Sequence, residues 1–559
     1  MYLPPIQKHD EQNIYIGAFG GYDERDKIAD GSFSDMKNMS SDGVPALTNR
    51  RPRKLVAEKA DIKKPFSPEN VGGELTSFTG VAGNKFYYNG AAIDNITLSD
   101  SPKSIADFNG NICIFPDKVY YSYLPDPDSG TITQSLKPMG KTLKLSGASF
   151  HSSLNEITGE YSAYILKSGA NFDQNFSEGD SIVISGCAAH EDNNTFIADS
   201  KTKYASDDRI ISVVVSKVSA SRLDVVLYNK RGAKALFDNG SESGEITIEV
   251  YIPDMSYVCV HNNRLWGASE NGEYIYASKL GDCFNFNSFQ GLGNDSWYSM
   301  VGTDGKFTGI VSYRTCVVAF KQNYIHHIYG DSPVNFSMPK QTFGGTPDGD
   351  SIAEVGGYLY YLGADGFYIY GGGEPEKISY PIKKRYVSCK AGTDGRKYIV
   401  SAKTANGECD VLVYTPDYDI WHREDDADFV GFARYNGELY AADSSALYKL
   451  SGGEEPVSWC VVSRRFTKED MNFKGLSAAY IRLDLKAGAS AKICISYDGG
   501  DFIHCGDIEG EGFFVHRIPI RFSKCDSFRI MLEGVGDAVV HELELITYTG
   551  GITNEYRQR

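Results

Sequence analysis

From about residue 75 onward, short apolar runs rich in Tyr, Val and Ile alternate with polar Asn-Gly or Asp-Gly pairs. Runs of this length bounded by such pairs predict strands joined by tight turns, because Asn-Gly and Asp-Gly tolerate the positive φ values of a two-residue hairpin. The pairs fall at Asn89-Gly90, Asn109-Gly110, Asn271-Gly272, Asp304-Gly305, Asp365-Gly366, Asp394-Gly395, Asn406-Gly407 and Asn436-Gly437. Aligned on these turns, the runs become a repeat: a strand, a polar turn, an aromatic-rich strand, a second turn and a strand ending in Tyr. Copies occupy 108–123, 260–278, 311–330, 355–372 and 433–450, with a looser copy at 390–416. Taking Asn263, Arg314, Gly357, Gly395 and Gly437 as equivalent, the steps are 51, 43, 38 and 42 residues. Four-stranded propeller blades recur at about 40–50 residues, whereas small solenoid repeats are shorter. The expectation is therefore an all-β chain built on a β-propeller of about six or seven blades.

The period breaks once. Gly110 to Asn263 spans 153 residues, one repeat plus about 110. The excess, at 140–252, has its own strand runs at 180–187, 209–218, 222–228 and 245–253. It reads as a small β-domain inserted in a loop, where added chain does not disturb a core. The propeller is then expected over 71–139 and 253–452. After residue 453 the runs alternate apolar and polar positions, as at Ala478–Leu485 and Ala538–Tyr548. Alternation implies sheets with one buried and one wet face, so 453–550 reads as an antiparallel sandwich or as strands that close the propeller. Residues 1–70 lack periodicity and read as an extended arm lying along the body or a neighbour. Residues 551–559 read as a flexible tail.

Composition adds detail. Tyr (37) and Phe (29) far outnumber Trp (4), and Gly reaches 58 of 559 residues, a balance that favours strands and turns. The formal charge of −17 disfavours general binding to phosphate backbones. The local exception is Arg50-Arg51-Pro52-Arg53-Lys54. It reads as a solvated basic turn or as an arm that docks on an acidic neighbour, with Arg50, Arg51, Arg53 and Lys54 as its contacts. Eleven scattered cysteines, with no C-x-x-C, suggest neither a disulfide framework nor a zinc site, and fit a chain made in a reducing cytoplasm. The start lacks a secretory pattern and no run of apolar residues is long enough to span a bilayer. The chain is expected to be soluble when made and to have no membrane partner.

No constellation specific to catalysis, a metal or a cofactor is found. There is no P-loop, no G-x-S-x-G elbow and no H-E-x-x-H helix. His326 and His327 are adjacent in a strand, so they point to opposite faces and cannot chelate one metal together; one buried and one exposed ring is expected. The acidic run Glu424-Asp425-Asp426-Ala427-Asp428 could offer oxygens to Ca²⁺, yet lacks the spacing of an EF-hand loop and reads as a solvated turn. Ser496-Tyr497-Asp498-Gly499-Gly500-Asp501-Phe502 looks like the Asp-box hairpin of sialidase-like propellers, a structural turn. No catalytic residue, metal ligand or cofactor-binding residue is assigned, and no enzymatic activity is expected.

The stretch Gly17–Arg51 carries a glycine-rich start, then Asp35-Met36-Lys37-Asn38-Met39 and Pro45-Ala46-Leu47-Thr48-Asn49-Arg50. In this it resembles the packaged-DNA stabilisation or tail-nozzle proteins of short-tailed bacteriophages. The stretches from Asn263, Thr308 and Gly366 resemble the same group. The resemblance implies a propeller body and a ring of several copies, six being the expected number, in the virion tail. The implied partners are the portal-side adaptor ring, tail fibres, and DNA that passes through a lumen without sequence-specific binding. Two other functions compete. A receptor- or carbohydrate-binding tail protein would use Tyr-rich loops or the C-terminal unit as sugar platforms. A propeller glycoside hydrolase would need two carboxylates at a fixed separation, which the sequence does not place.

Overall fold

Asn89-Gly90, Asn109-Gly110 and Asn436-Gly437 each have both residues at positive φ, the backbone of the type I′ turn that matches the twist of the flanking strands. Asn262-Asn263 adopts the same geometry without a glycine. In the computed structural model, which describes residues 11–68, 75–125, 129–197, 208–339, 341–467, 473–521 and 523–550, such hairpins build an all-β protein. Among the described residues the only α-helix is the four-residue turn Phe172–Asn175. The chain divides into two compact units, one of 1–65, 74–77 and 350–559, the other of 66–73 and 78–349.

The second unit holds three four-stranded antiparallel meanders. They are Ser104–Phe108, Asn111–Phe115, Val119–Ser122 and Lys137–Pro138; Met255–His261, Arg264–Ser269, Tyr274–Ala277 and Trp297–Met300; and Phe307–Tyr313, Cys316–Lys321, Tyr324–Ile328 and Gln341–Phe343. Strands Gly80–Ala82, Lys85–Tyr88 and Ala91–Ile93 pair in the same way. The first strands of successive meanders pack against one another, 104–108 on 255–261 and 255–261 on 307–313. Second strands are therefore covered on both faces: every residue of Arg264–Ser269 and Cys316–Lys321 is buried. Two-sided burial explains why these strands read as continuous apolar runs. It also corrects the histidine pair. His326 and His327 do point to opposite faces, but both are buried, His326 Nε2 2.9 Å from Thr303 Oγ1 and His327 Nδ1 3.6 Å from Cys316 Sγ.

Between the first and second of these meanders lies a closed six-stranded barrel. Its strands, in order around the barrel, are Lys141–Leu154, Tyr161–Leu166, Arg222–Asn229, Ile210–Val218, Ser181–Ser185 and Gly240–Val250. A core of its own, including Phe150, Ile165, Phe172, Val213, Leu227 and Ile248, fills it. Closure leaves the barrel no sheet edge, which suits an independent module.

The first unit also has three meanders: Ala353–Val355, Tyr358–Leu362, Phe367–Tyr370 and Glu376–Lys377; Tyr386–Thr393, Tyr398–Thr404, Cys409–Thr415 and Ile420–Arg423; and Gly431–Tyr435, Glu438–Ala442 and Ala446–Gly452. The last takes its fourth strand, Arg53–Glu58, from the N-terminal segment. The strand that completes this sheet thus comes from the arm and not from the region after 453. Here too first strands pack in sequence, and Ile62–Pro65 follows on against Gly431–Tyr435. Aromatic rings fill the space between sheets: Tyr360 on Tyr398 at 5.5 Å, Tyr414 on Trp421 at 5.0 Å and Phe367 on Trp421 at 5.1 Å.

Residues after 453 form two facing sheets. One orders Phe33–Lys37, Ser458–Ser463, Phe528–Val535, Ser490–Tyr497 and Ile503–Glu509. The other orders Met39–Ser40, Leu47–Asn49, Ala538–Gly550, Phe473–Leu485 and Gly512–Pro519, with Glu11–Ile16 also paired to Ala538–Gly550. Leu476, Ile481, Leu483, Ile493, Ile530 and Leu545 share one core between them. The N-terminal segment is therefore woven into this sandwich as strands, its Phe33, Met36, Met39 and Leu47 buried in the same core. Its pairing partners lie more than 400 residues away, as in Met36 with Val461 and Leu47 with Val540. The tail at 551–559 lies outside the described residues.

Candidate functional site

The two charge runs singled out in the sequence meet. Arg53 Nη2 lies 2.8 Å from Glu424 Oε2 and its Nη1 2.8 Å from Asp425 Oδ2; Arg50 Nη2 lies 3.2 Å from the same Asp425 oxygen. All four side chains are 13–15% exposed. Arg50 Nε donates to Asn38 Oδ1 at 2.7 Å, Asn38 Nδ2 donates to the Ser458 carbonyl at 2.7 Å, and the Arg53 guanidinium stands over the Phe429 ring. Burial pulls both guanidinium pKa values down. For Arg50, burial and the neighbouring Arg53 prevail and its pKa lies below the usual value; for Arg53, Glu424 and Asp425 outweigh burial and its pKa lies above it. Arg51 and Lys54 are exposed on the same segment. The acidic run is thus occupied from within the chain, and Asp428 also pairs with Lys403 at 2.7 Å. No group of three or more His, Cys, Asp or Glu among the described residues could hold a metal ion.

A buried carboxylate lies close by, in the strand Cys409–Thr415, where the Val411 amide donates to the Asp425 carbonyl. Asp410, 1% exposed, accepts from Lys384 Nζ at 2.7 Å, Arg423 Nε at 2.6 Å and the Tyr386 hydroxyl at 2.9 Å. Burial alone would raise its pKa, but these donors hold it below the usual carboxylate value. Arg423 also donates to the Met36 carbonyl at 3.1 Å, so it ties the N-terminal segment to the sheet. Next to it, His422 is buried; burial, with Lys397 adding to it, pulls its pKa down to about 3. A depressed histidine pKa contributes stability that is complete above the unfolded-state value of about 6.5 and is lost as pH falls toward the folded value. The unfolding midpoint in urea should therefore drop as pH is lowered from 6.5 toward 3, and His422→Phe should flatten that slope. An unchanged slope in the variant would show that the loss comes from other groups.

The Asp-box-like stretch is a closed turn: Ser496 Oγ donates to the Gly500 carbonyl at 2.6 Å, and Asp498, at φ +53°, accepts from the Asp526 and Ser527 amides at 2.8 and 2.9 Å. Its groups are used internally.

A groove of about 490 Å³ lies on the five-stranded sheet. Its floor is a row of cross-strand partners that the sequence does not reveal: Lys37 opposite Cys460, Cys460 opposite Glu533, Glu533 opposite Lys492, and Lys492 opposite Asp507. Lys492 Nζ is 2.7 Å from Glu533 Oε1. Five strands supply this row, one residue each, so only the strand order brings it together. Alternating charge along a shallow floor suits polar, hydroxyl-rich or zwitterionic groups better than an apolar ligand.

What these features define is an all-β protein of two units, with no helix among the described residues long and apolar enough to cross a membrane. No protein-family model matches the chain, and no curated protein matches it. Among solved structures it is similar to Hsv2 of Kluyveromyces lactis, at 12% identity and a TM-score of 0.26, over 44% of this chain and 72% of that one. It is similar to the exo-β-1,3-galactanase Pc1,3Gal43A of Phanerochaete chrysosporium, at 9% identity and a TM-score of 0.20, over 52% of this chain and 95% of that one. The GH43B of the Bacteroides ovatus xyloglucan PUL gives 8% identity and a TM-score of 0.21, over 52% of this chain and 97% of that one. Likenesses this distant assign no activity.

Proposed function

We propose that this chain is a non-enzymatic structural subunit of a bacteriophage tail, a ring-forming nozzle or hub protein that joins the portal side to the distal tail and guides packaged DNA. The observation that carries this reading is the fate of the residues behind the family resemblance. Asn38, Met39, Leu47 and Arg50 all enter one joint, Met39 and Leu47 in the shared core, Asn38 and Arg50 in the buried hydrogen-bond chain that reaches Ser458 and Asp425. A motif spent on holding sheets together suits a scaffold subunit. The reading includes the propeller: the four-stranded meanders of each unit act as blades, and Arg53–Glu58 completes the last of them. Packing of successive first strands within each unit supports it, since blades meet along their inner strands. Self-association into a ring, contacts with adaptor and fibre proteins, and a lumen that repels DNA through the chain's net charge of −17 belong to the same proposal. Electron microscopy of purified protein and of virions tests it. Closed rings, six copies each, are expected; a persistent monomer that is absent from virions would sink the reading.

A second reading, a receptor- or carbohydrate-binding tail protein, is favoured by the polar groove on the five-stranded sheet. Its test is a glycan array probed with the purified chain and with Lys492→Ala. Binding that is lost in the variant supports this reading, and the absence of any binding removes it.

A further inference from the structure

Gly512–Pro519 is the edge strand of the six-stranded sheet. It pairs with Phe473–Leu485 on one side, without a bulge, and no strand among the described residues pairs with its other side. Natural edges are blunted by lysines, inward charges, proline or bulges. The neighbouring edge strand Ile503–Glu509 shows such devices, with Asp507 and Glu509 in it and a register break against Ile493–Cys494. Gly512–Pro519 does not: it reads Phe513-Phe514-Val515-His516-Arg517-Ile518, with one charge and its proline only at the end. Phe513 and Val515 are 59% and 53% exposed, and His516 Nε2 is buried without a hydrogen-bond partner.

We propose that this edge is the docking site for a second copy of the chain, the two Gly512–Pro519 strands pairing antiparallel about a two-fold axis at Val515. The occupant follows from self-complementarity. With the axis at Val515, the strand opposes Phe513 to the partner's Arg517, Val515 to the partner's Val515, and Phe514 to the partner's His516. Alternation puts the first two kinds of pair on the outer face, where Phe513, Val515 and Arg517 all stand. Each Phe513 ring then meets a guanidinium, the Val515 side chains cover each other, and Phe514 and His516, whose rings already touch at 5.2 Å within one chain, join their counterparts on the other face. The new ladder also satisfies the backbone groups that the open edge leaves to solvent. A two-fold contact differs from the head-to-tail contacts that close a ring, so this inference stands or falls separately from the tail reading.

Sedimentation equilibrium of the full chain at micromolar concentration, with electron microscopy of the same samples, tests it. Wild type should show a reversible monomer–dimer step, or a ring–double-ring step if rings form. Phe513→Arg sets like charges opposite each other and should weaken that step by about tenfold or more. Adding Arg517→Glu to it should restore association, because each arginine then faces a glutamate. Both positions are at the surface, so the thermal midpoint should stay at the wild-type value and show that the variants fold. Wild type lacking the step, Phe513→Arg leaving it unchanged, or the double variant failing to restore it would each overturn the proposal; rings that persist in Phe513→Arg without doubling would support it.

Discussion

A chain lacking residues 1–58 is expected to lose the fold of the first unit, not merely a flexible arm. The deletion removes the strand Arg53–Glu58 from the Gly431–Gly452 sheet, Phe33–Lys37 from one sandwich sheet, and Met39–Ser40, Leu47–Asn49 and Glu11–Ile16 from the other. It also takes Phe19, Tyr22, Phe33, Met36, Met39 and Leu47 out of the shared core, all 5% exposed or less. Burial of each large apolar side chain contributes roughly 1.5–3 kcal/mol, so their loss is comparable to the whole stability of a typical domain, about 5–15 kcal/mol. The same deletion removes the ion pairs that Arg50 and Arg53 make with Glu424 and Asp425. Limited proteolysis should digest residues after 350 while the barrel at Lys141–Val250 survives. A truncated protein with the wild-type melting profile would contradict this placement of the arm.

The second large effect lies in the other unit. Arg264 is 1% exposed and donates through Nη1 to the carbonyls of Ser278 and Asp295 and through Nη2 to that of Gly293, with its guanidinium over the Phe336 ring. Arg264→Ala leaves these carbonyls unpaired and opens a cavity beside Trp266 and Phe336, which pack at 5.1 Å. Leaving one buried polar group unsatisfied costs about 1–3 kcal/mol, so a loss of roughly 3–5 kcal/mol is expected in urea denaturation. Arg264→Lys should recover only part of it, since one ammonium lacks the planar fork that serves two directions. A loss below about 1 kcal/mol in the alanine variant would show that water replaces the guanidinium.

Local chemistry was legible in the sequence wherever it decided the structure. The Asn-Gly and Asp-Gly pairs mark turns between strands, but only Asn89-Gly90, Asn109-Gly110 and Asn436-Gly437 set two positive φ values in succession; at the other five only the glycine has a positive φ. The broken period marks the insertion, whose barrel runs from Lys141 to Val250. Strand order was not legible. Residues 1–70 read as an arm because their strands are short and their partners are distant; nothing near Met36 announces Val461. The strand Ile503–Glu509 escaped because Ile-His-Cys-Gly-Asp-Ile-Glu has no clean alternation, being an edge that faces solvent. Burial of both His326 and His327 depends on neighbours packed on each side of the sheet, information a strand does not carry. For the candidate sites the limit is the same. Arg53 and Glu424 each stood out as charge, yet 371 residues separate them, and the Lys37–Asp507 row depends on the order of five strands.

The proposal that the meanders act as propeller blades, the last completed by Arg53–Glu58, is tested most directly by an experimental structure of the purified chain from cryo-electron microscopy. Four-stranded blades that meet along their first strands are expected within each unit, with Arg53–Glu58 as the outer strand beside Ala446–Gly452. Meanders that do not meet along their first strands, or a Gly431–Gly452 sheet completed by another segment, would contradict it.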